Sequence, residues 1–124
     1  QWLSVADAEK LEEINSVLKN SQPSGGTSLL NAFSALKSLP DQPDNIFLLT
    51  DGLPTQGERA PRENKVTGKE RLKLFREATK LLPSNVPVNI ILLPMDGDPM
   101  AASEFWQLAQ SSSGSFLAPS SDWP

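Results

Sequence analysis

Two positions in this sequence carry oxygen donors where a parallel α/β sheet would use them. Asp51 follows the apolar run Ile46-Phe47-Leu48-Leu49 and the short link Thr50, and Gly52 comes directly after it. A carboxylate at the carboxyl end of a buried strand, followed by a glycine turn, is where open α/β sheets place ligand chemistry. Thr27 follows Gly25-Gly26 and stands where a helix begins. Two glycines let the backbone approach a ligand closely, and a hydroxyl at a helix N-terminus is a donor to it. Each position has a plainer alternative: Asp51 as a turn residue and Thr27 as a helix cap. The chain has no His and no Cys. That excludes His-based triads, thiol nucleophiles and disulfides. Any metal must be held by oxygen, which selects magnesium, calcium or manganese over zinc.

The elements that must position these residues follow from periodicity. The unalternating run 46–49 predicts a strand buried on both faces. A second apolar run, 86–93, predicts another strand, with Pro87 at its start where a lost ladder bond is tolerated. Phe116 and Leu117 predict a short last strand. Between and before them lie four helical patterns. Ala8, Leu11, Ile14 and Leu18 recur at helical spacing over residues 7–19, opposite Glu9, Glu12, Glu13 and Lys19. Leu29, Leu30, Phe33, Leu36 and Leu39 form a second stripe, closed by Pro40. Thr67 and Glu70 make a capping box ahead of Leu72, Phe75, Ala78 and Leu82. The basic residues Lys69, Arg71, Lys73, Arg76 and Lys80 are expected on the solvent faces of that helix. Asp98-Pro99 reads as a cap and first position for a fourth helix carrying Phe105, Leu108 and Ala109. Strand, helix and strand in alternation imply crossovers and a parallel sheet. The expected fold is α/β, a three-layer, partial doubly wound, Rossmann-like sheet of three to four strands with four helices.

Composition bounds the rest. A chain of 124 residues fits one domain with its own core. The net charge of −4 disfavours nucleic acid, which rewards basic surfaces. No apolar run is long enough to span a membrane. Residues 52–67 form a loop of about sixteen residues, a length that points to function or mobility. Its Arg59, Arg62, Glu63 and Lys65 read first as solvated charges.

Gly25-Gly26-Thr27-Ser28-Leu29, followed at a distance by Leu48-Leu49-Thr50-Asp51-Gly52, resembles the von Willebrand factor type A domain. The Phe105-Trp106 helix and the Gly114-Ser115-Phe116 strand are similar to the end of that domain. The resemblance implies a doubly wound sheet with a metal-ion-dependent adhesion site at its carboxyl end. It places the second-loop threonine of that site at Thr27 and the third-loop aspartate at Asp51. It implies magnesium or manganese in the complete domain and a protein partner presenting an acidic group. The binding loops would include Ser24, Gly25, Gly26 and Ser28 on one side and Thr50, Gly52 and Pro54 on the other. The family's Asp-x-Ser-x-Ser loop is not found here, so residues 1–124 are expected to be a truncated, carboxyl-terminal portion of one domain. Two expectations follow. Magnesium binding by this chain alone is weak or nil. The strand 46–49 has a bare apolar edge open to a second copy, giving a homodimer. In bacterial proteins such domains are often tethered to the envelope, which makes an extracytoplasmic or envelope setting the expectation.

The leading functional expectation is therefore a non-enzymatic protein-recognition module with an incomplete metal-ion-dependent adhesion site. One alternative is a phosphate-handling α/β enzyme using Asp51; no Walker or Rossmann glycine motif supports it. The other is a purely structural domain of a larger assembly.

Overall fold

The run 46–49 forms β1 (Ile46–Thr50), which pairs in parallel with β2 (Val88–Leu92) in the register Ile46 to Val88 through Thr50 to Leu92. β2 pairs in parallel with β3 (Phe116–Leu117), Ile90 opposite Phe116 and Ile91 opposite Leu117. The sheet order is β1-β2-β3. The helices are α1 (Ala8–Asn20), α2 (Leu29–Lys37), α3 (Gly68–Thr79) and α4 (Ala101–Ser111). This computed structural model describes residues 2–22, 24–61, 65–93 and 95–120. Four helices and a three-stranded parallel sheet are consistent with the expected α/β, three-layer, Rossmann-like fold. Among the described residues no helix is long and apolar enough to cross a membrane.

Alternation along the strands places Ile46, Val88, Ile90 and Leu92 on one face, and all four are buried. Leu29 and Phe33 of α2, Phe75 and Ala78 of α3, and Ala101, Phe105 and Ala109 of α4 complete that core. The rings of Phe75 and Phe105 meet edge to face with centroids 5.0 Å apart, a geometry favoured by the aromatic quadrupole. Gly114 is required where α4 turns into β3. A Cβ there would lie 2.0 Å from the carbonyl oxygen of Val88.

The structure differs from expectation at β1. Burial on both faces is not found: Phe47 is 70% exposed and Leu49 65%. The cause is that no helix of the core covers that face. β1 ends the sheet, pairing only with β2 among the described residues, and its second face meets no buried residue of the core. The expected bare edge is present. α1 is likewise unburied along its whole length, despite its apolar stripe and its Asp7 cap on the Lys10 amide.

Helix starts depart from expectation at two places. Ser28, not Thr27, caps α2, accepting from the Asn31 amide at 3.1 Å. α4 starts at Ala101 after Met100 with no side-chain cap bond, so Asp98 does not cap it. The Thr67–Glu70 capping box on α3 forms as expected.

Candidate functional site

Three loops meet at the carboxyl end of the sheet, and backbone hydrogen bonds join them. The Thr27 carbonyl accepts from the amides of Thr55 and Gln56 at 3.0 and 3.1 Å. The Thr27 amide donates to the Thr55 hydroxyl at 2.9 Å. Ser28 donates its hydroxyl to the Gly57 carbonyl at 2.6 Å while capping α2. Gly26 permits this approach, since a Cβ there would stand 2.7 Å from the Thr55 hydroxyl oxygen. Gly25 takes a positive φ of 75° that glycine adopts without strain. An open cleft of about 420 Å³ runs between Gly25, Gly26, Thr55, Gln56 and the Arg71 side chain. From the other side, the amides of Leu93 and Met95 donate to the carbonyls of Thr50 and Asp51 at 2.8 and 3.2 Å.

Beneath these loops sits a clamp. The Asp98 carboxylate accepts from the Leu53 amide at 2.7 Å and pairs with the Arg71 guanidinium at 2.8 Å. Arg71 in turn donates from Nε to the Leu53 carbonyl at 3.1 Å. The peptide groups of Leu53 are thus held from both ends. Gly52 makes room for this arrangement, because a Cβ there would lie 2.6 Å from Asp98 Oδ2. The Thr50 hydroxyl closes the turn locally, donating to the Gly52 carbonyl at 3.0 Å.

The residues singled out from sequence divide into two groups. Ser24, Gly25, Gly26, Thr27 and Asp51 are exposed. Gly52 and Pro54 are buried and form the floor on which the loops rest; Ser28 and Thr50 are half-buried. The plainer reading of Thr27 fails, since Ser28 is the cap. Among the described residues, neither the Asp51 carboxylate nor the Thr27 hydroxyl takes part in a hydrogen bond or ion pair. Of the loop charges, Arg59 and Lys65 are exposed as expected, while Arg62 and Glu63 lie outside the described residues, as does Pro94 in the loop after β2.

A resident dication does not fit this donor set. Magnesium takes about six oxygens, commonly including one or two carboxylates. Asp51 supplies one carboxylate and Thr27 a neutral hydroxyl, and no group of three or more acidic side chains able to hold a metal occurs among the described residues.

Sequence reasoning missed Arg71 and Asp98. Arg71 falls among the basic residues expected on the solvent faces of α3, yet it lies four residues before Phe75, on the inward stripe shared with Ala78 and Leu82. That spacing was the available signal. For Asp98 the local Asp-Pro pattern pointed to a cap, and only the tertiary structure reveals the competing Leu53 amide.

Comparison with protein-family models, with curated proteins and with solved structures found no match for this chain.

Proposed function

We propose that this chain is a non-enzymatic protein-recognition module of the von Willebrand factor A type, binding through the loops at the carboxyl end of its sheet. One observation carries this reading. The loops are braced by the Leu53–Arg71–Asp98 clamp while the Asp51 carboxylate and the Thr27 hydroxyl stand exposed above it. Polar groups held on a braced surface bind with less ordering cost than groups on loose loops. The partner class is a protein presenting an acidic group. With so few donors of its own, the adhesion-type site is incomplete, and magnesium or manganese would be engaged only together with that partner.

The test is an amide-shift map with a short aspartate-containing peptide, magnesium, and both together. Shifts confined to residues 24–28, 50–54 and 95–98, seen with both present and lost in Asp51→Ala, support the reading. Shifts elsewhere, or shifts that persist in Asp51→Ala, overturn it. Hydrolysis of a phosphate ester above the buffer blank, lost in Asp51→Ala, would replace it with the enzyme alternative.

A further inference from the structure

Two apolar surfaces of this chain face solvent. The first is the stripe of α1. Leu11, Ile14, Val17 and Leu18 lie along one side, with Val17 59% and Leu18 67% exposed. The second is the rear face of the sheet. Leu49, Ile91 and Leu117 form one row across all three strands, set by the pairing of Leu49 with Ile91 and of Ile91 with Leu117. Phe47 stands beside that row on the same face.

The dimensions agree. Three strands span about 10 Å, close to the diameter of one helix. A helix of 13 residues is about 20 Å long at 1.5 Å per residue, enough to cover the strands lengthwise. Glu9 and Glu12 lie off the stripe and stay in solvent when it is covered, while Lys10 and Glu13 flank it beside Ile14 and Val17.

α1 has no polar tie to the rest of the described chain, although Trp2 of the same arm lies beside residues 41–45. Among the described residues, no hydrogen bond or ion pair joins residues 2–22 to the remainder of the chain; the bonds of this arm are all internal. The joint to α2 is rich in serine and glycine, with Gly25 in the left-handed region at φ 75°. The helix does not cover its own sheet, for it buries no residue.

We propose that α1 of one copy seats on the rear sheet face of a second copy, and that the exchange is reciprocal. A two-fold dimer of this kind is self-complementary: each copy lends the helix and receives one. Burying both stripes on both faces removes on the order of 1,500 Å² from water, within the range of a specific interface. The contact needs neither Thr27 nor Asp51 and goes beyond the recognition reading.

Light scattering and sedimentation of the chain, with and without magnesium, test this. A dimer indifferent to magnesium and kept in Asp51→Ala is expected. Val17→Glu with Leu18→Glu gives a monomer, as does Phe47→Glu, each with the far-ultraviolet circular dichroism of the parent, because all three side chains are exposed. Mixing the two variants restores a weaker heterodimer, since one intact helix can still reach one intact face. A monomeric parent overturns the proposal. So does a dimer that survives Val17→Glu with Leu18→Glu, which would point to pairing along the β1 edge. Failure of the mixed variants to associate also overturns it. None of these outcomes bears on the Asp51 shift map, so the two readings fail separately.

Discussion

Arg71 and Asp98 meet at 2.8 Å beneath the turn that follows β1, their side chains 15% and 5% exposed. Both also hold the peptide of Leu53, Asp98 at its amide and Arg71 at its carbonyl. Burying an ion pair costs solvation that the mutual attraction offsets only when the remaining hydrogen-bonding capacity is also used. Here the backbone of Leu53 uses it. The consequence is positional: the segment carrying Asp51 is anchored at the next residues, and the carboxyl ends of β1 and β2 are tied together through α3.

Asp98→Ala removes one partner of this buried pair, leaving the Arg71 charge with only the Leu53 carbonyl and the Leu53 amide without its acceptor. The expected loss is about 3 kcal/mol of unfolding free energy, read by urea denaturation. Asp98→Asn keeps an acceptor for Leu53 and is expected to lose less. Equal stability of Asp98→Ala and the parent would mean that water satisfies the clamp.

Three glycines sort by what a methyl group would meet. Gly114→Ala places Cβ 2.0 Å from a backbone oxygen that cannot turn away, and the fold is expected to be lost or severely weakened. Gly52→Ala places it 2.6 Å from the Asp98 carboxylate, a side chain that can shift at the expense of the clamp; overpacking of this kind costs about 1–3 kcal/mol. Gly68→Ala meets nothing within 4 Å at the first turn of α3 and is expected to be neutral or slightly stabilising. Thermal melts of the three variants check the order; a neutral Gly114→Ala would contradict the α4–β3 packing.

How much of this was legible in advance depends on whether the cause was local. β1, β2 and the capping box on α3 follow from patterns within a few residues, and they form as read. The exposed rear of β1 does not, because an apolar run says only that a face prefers burial, while burial needs an element to cover it. The candidate site splits the same way. Thr27 and Asp51 stand out because glycine and strand context flag them. The Arg71–Asp98 clamp spans 27 residues of sequence, and the bonds that hold Thr27 beside the Ser28 cap come from Thr55 and Gln56, far along the chain.

Magnesium alone is expected to leave the melting temperature unchanged. Stabilisation by a ligand grows with the ratio of its concentration to its dissociation constant. One carboxylate and one hydroxyl predict a constant well above the millimolar range, so 1 mM magnesium adds less than about 0.1 kcal/mol. A clear rise in melting temperature at 1 mM, abolished in Asp51→Ala, would show that further ligands join the site.

The capping box on α3 predicts a pH dependence whose sign is fixed. The Glu70 carboxylate accepts from the Thr67 hydroxyl at 2.7 Å and from the Thr67 amide at 2.8 Å. The hydroxyl first and the amide second favour its charged form and hold its pKa below the ordinary glutamate value. A group whose pKa is lower folded than unfolded stabilises the fold above its unfolded pKa, and that contribution is lost as pH falls through the folded value. The contribution is therefore intact at neutral pH and disappears in the acid range, below about 4.3. Glu70→Gln keeps a capping acceptor but cannot titrate, so the stability difference between parent and variant is expected to shrink as pH falls from 7 to 3. Thr67→Ala removes the cap itself and costs about 1 kcal/mol. Parallel denaturation curves for the parent and Glu70→Gln at every pH would place the acid sensitivity of this fold elsewhere.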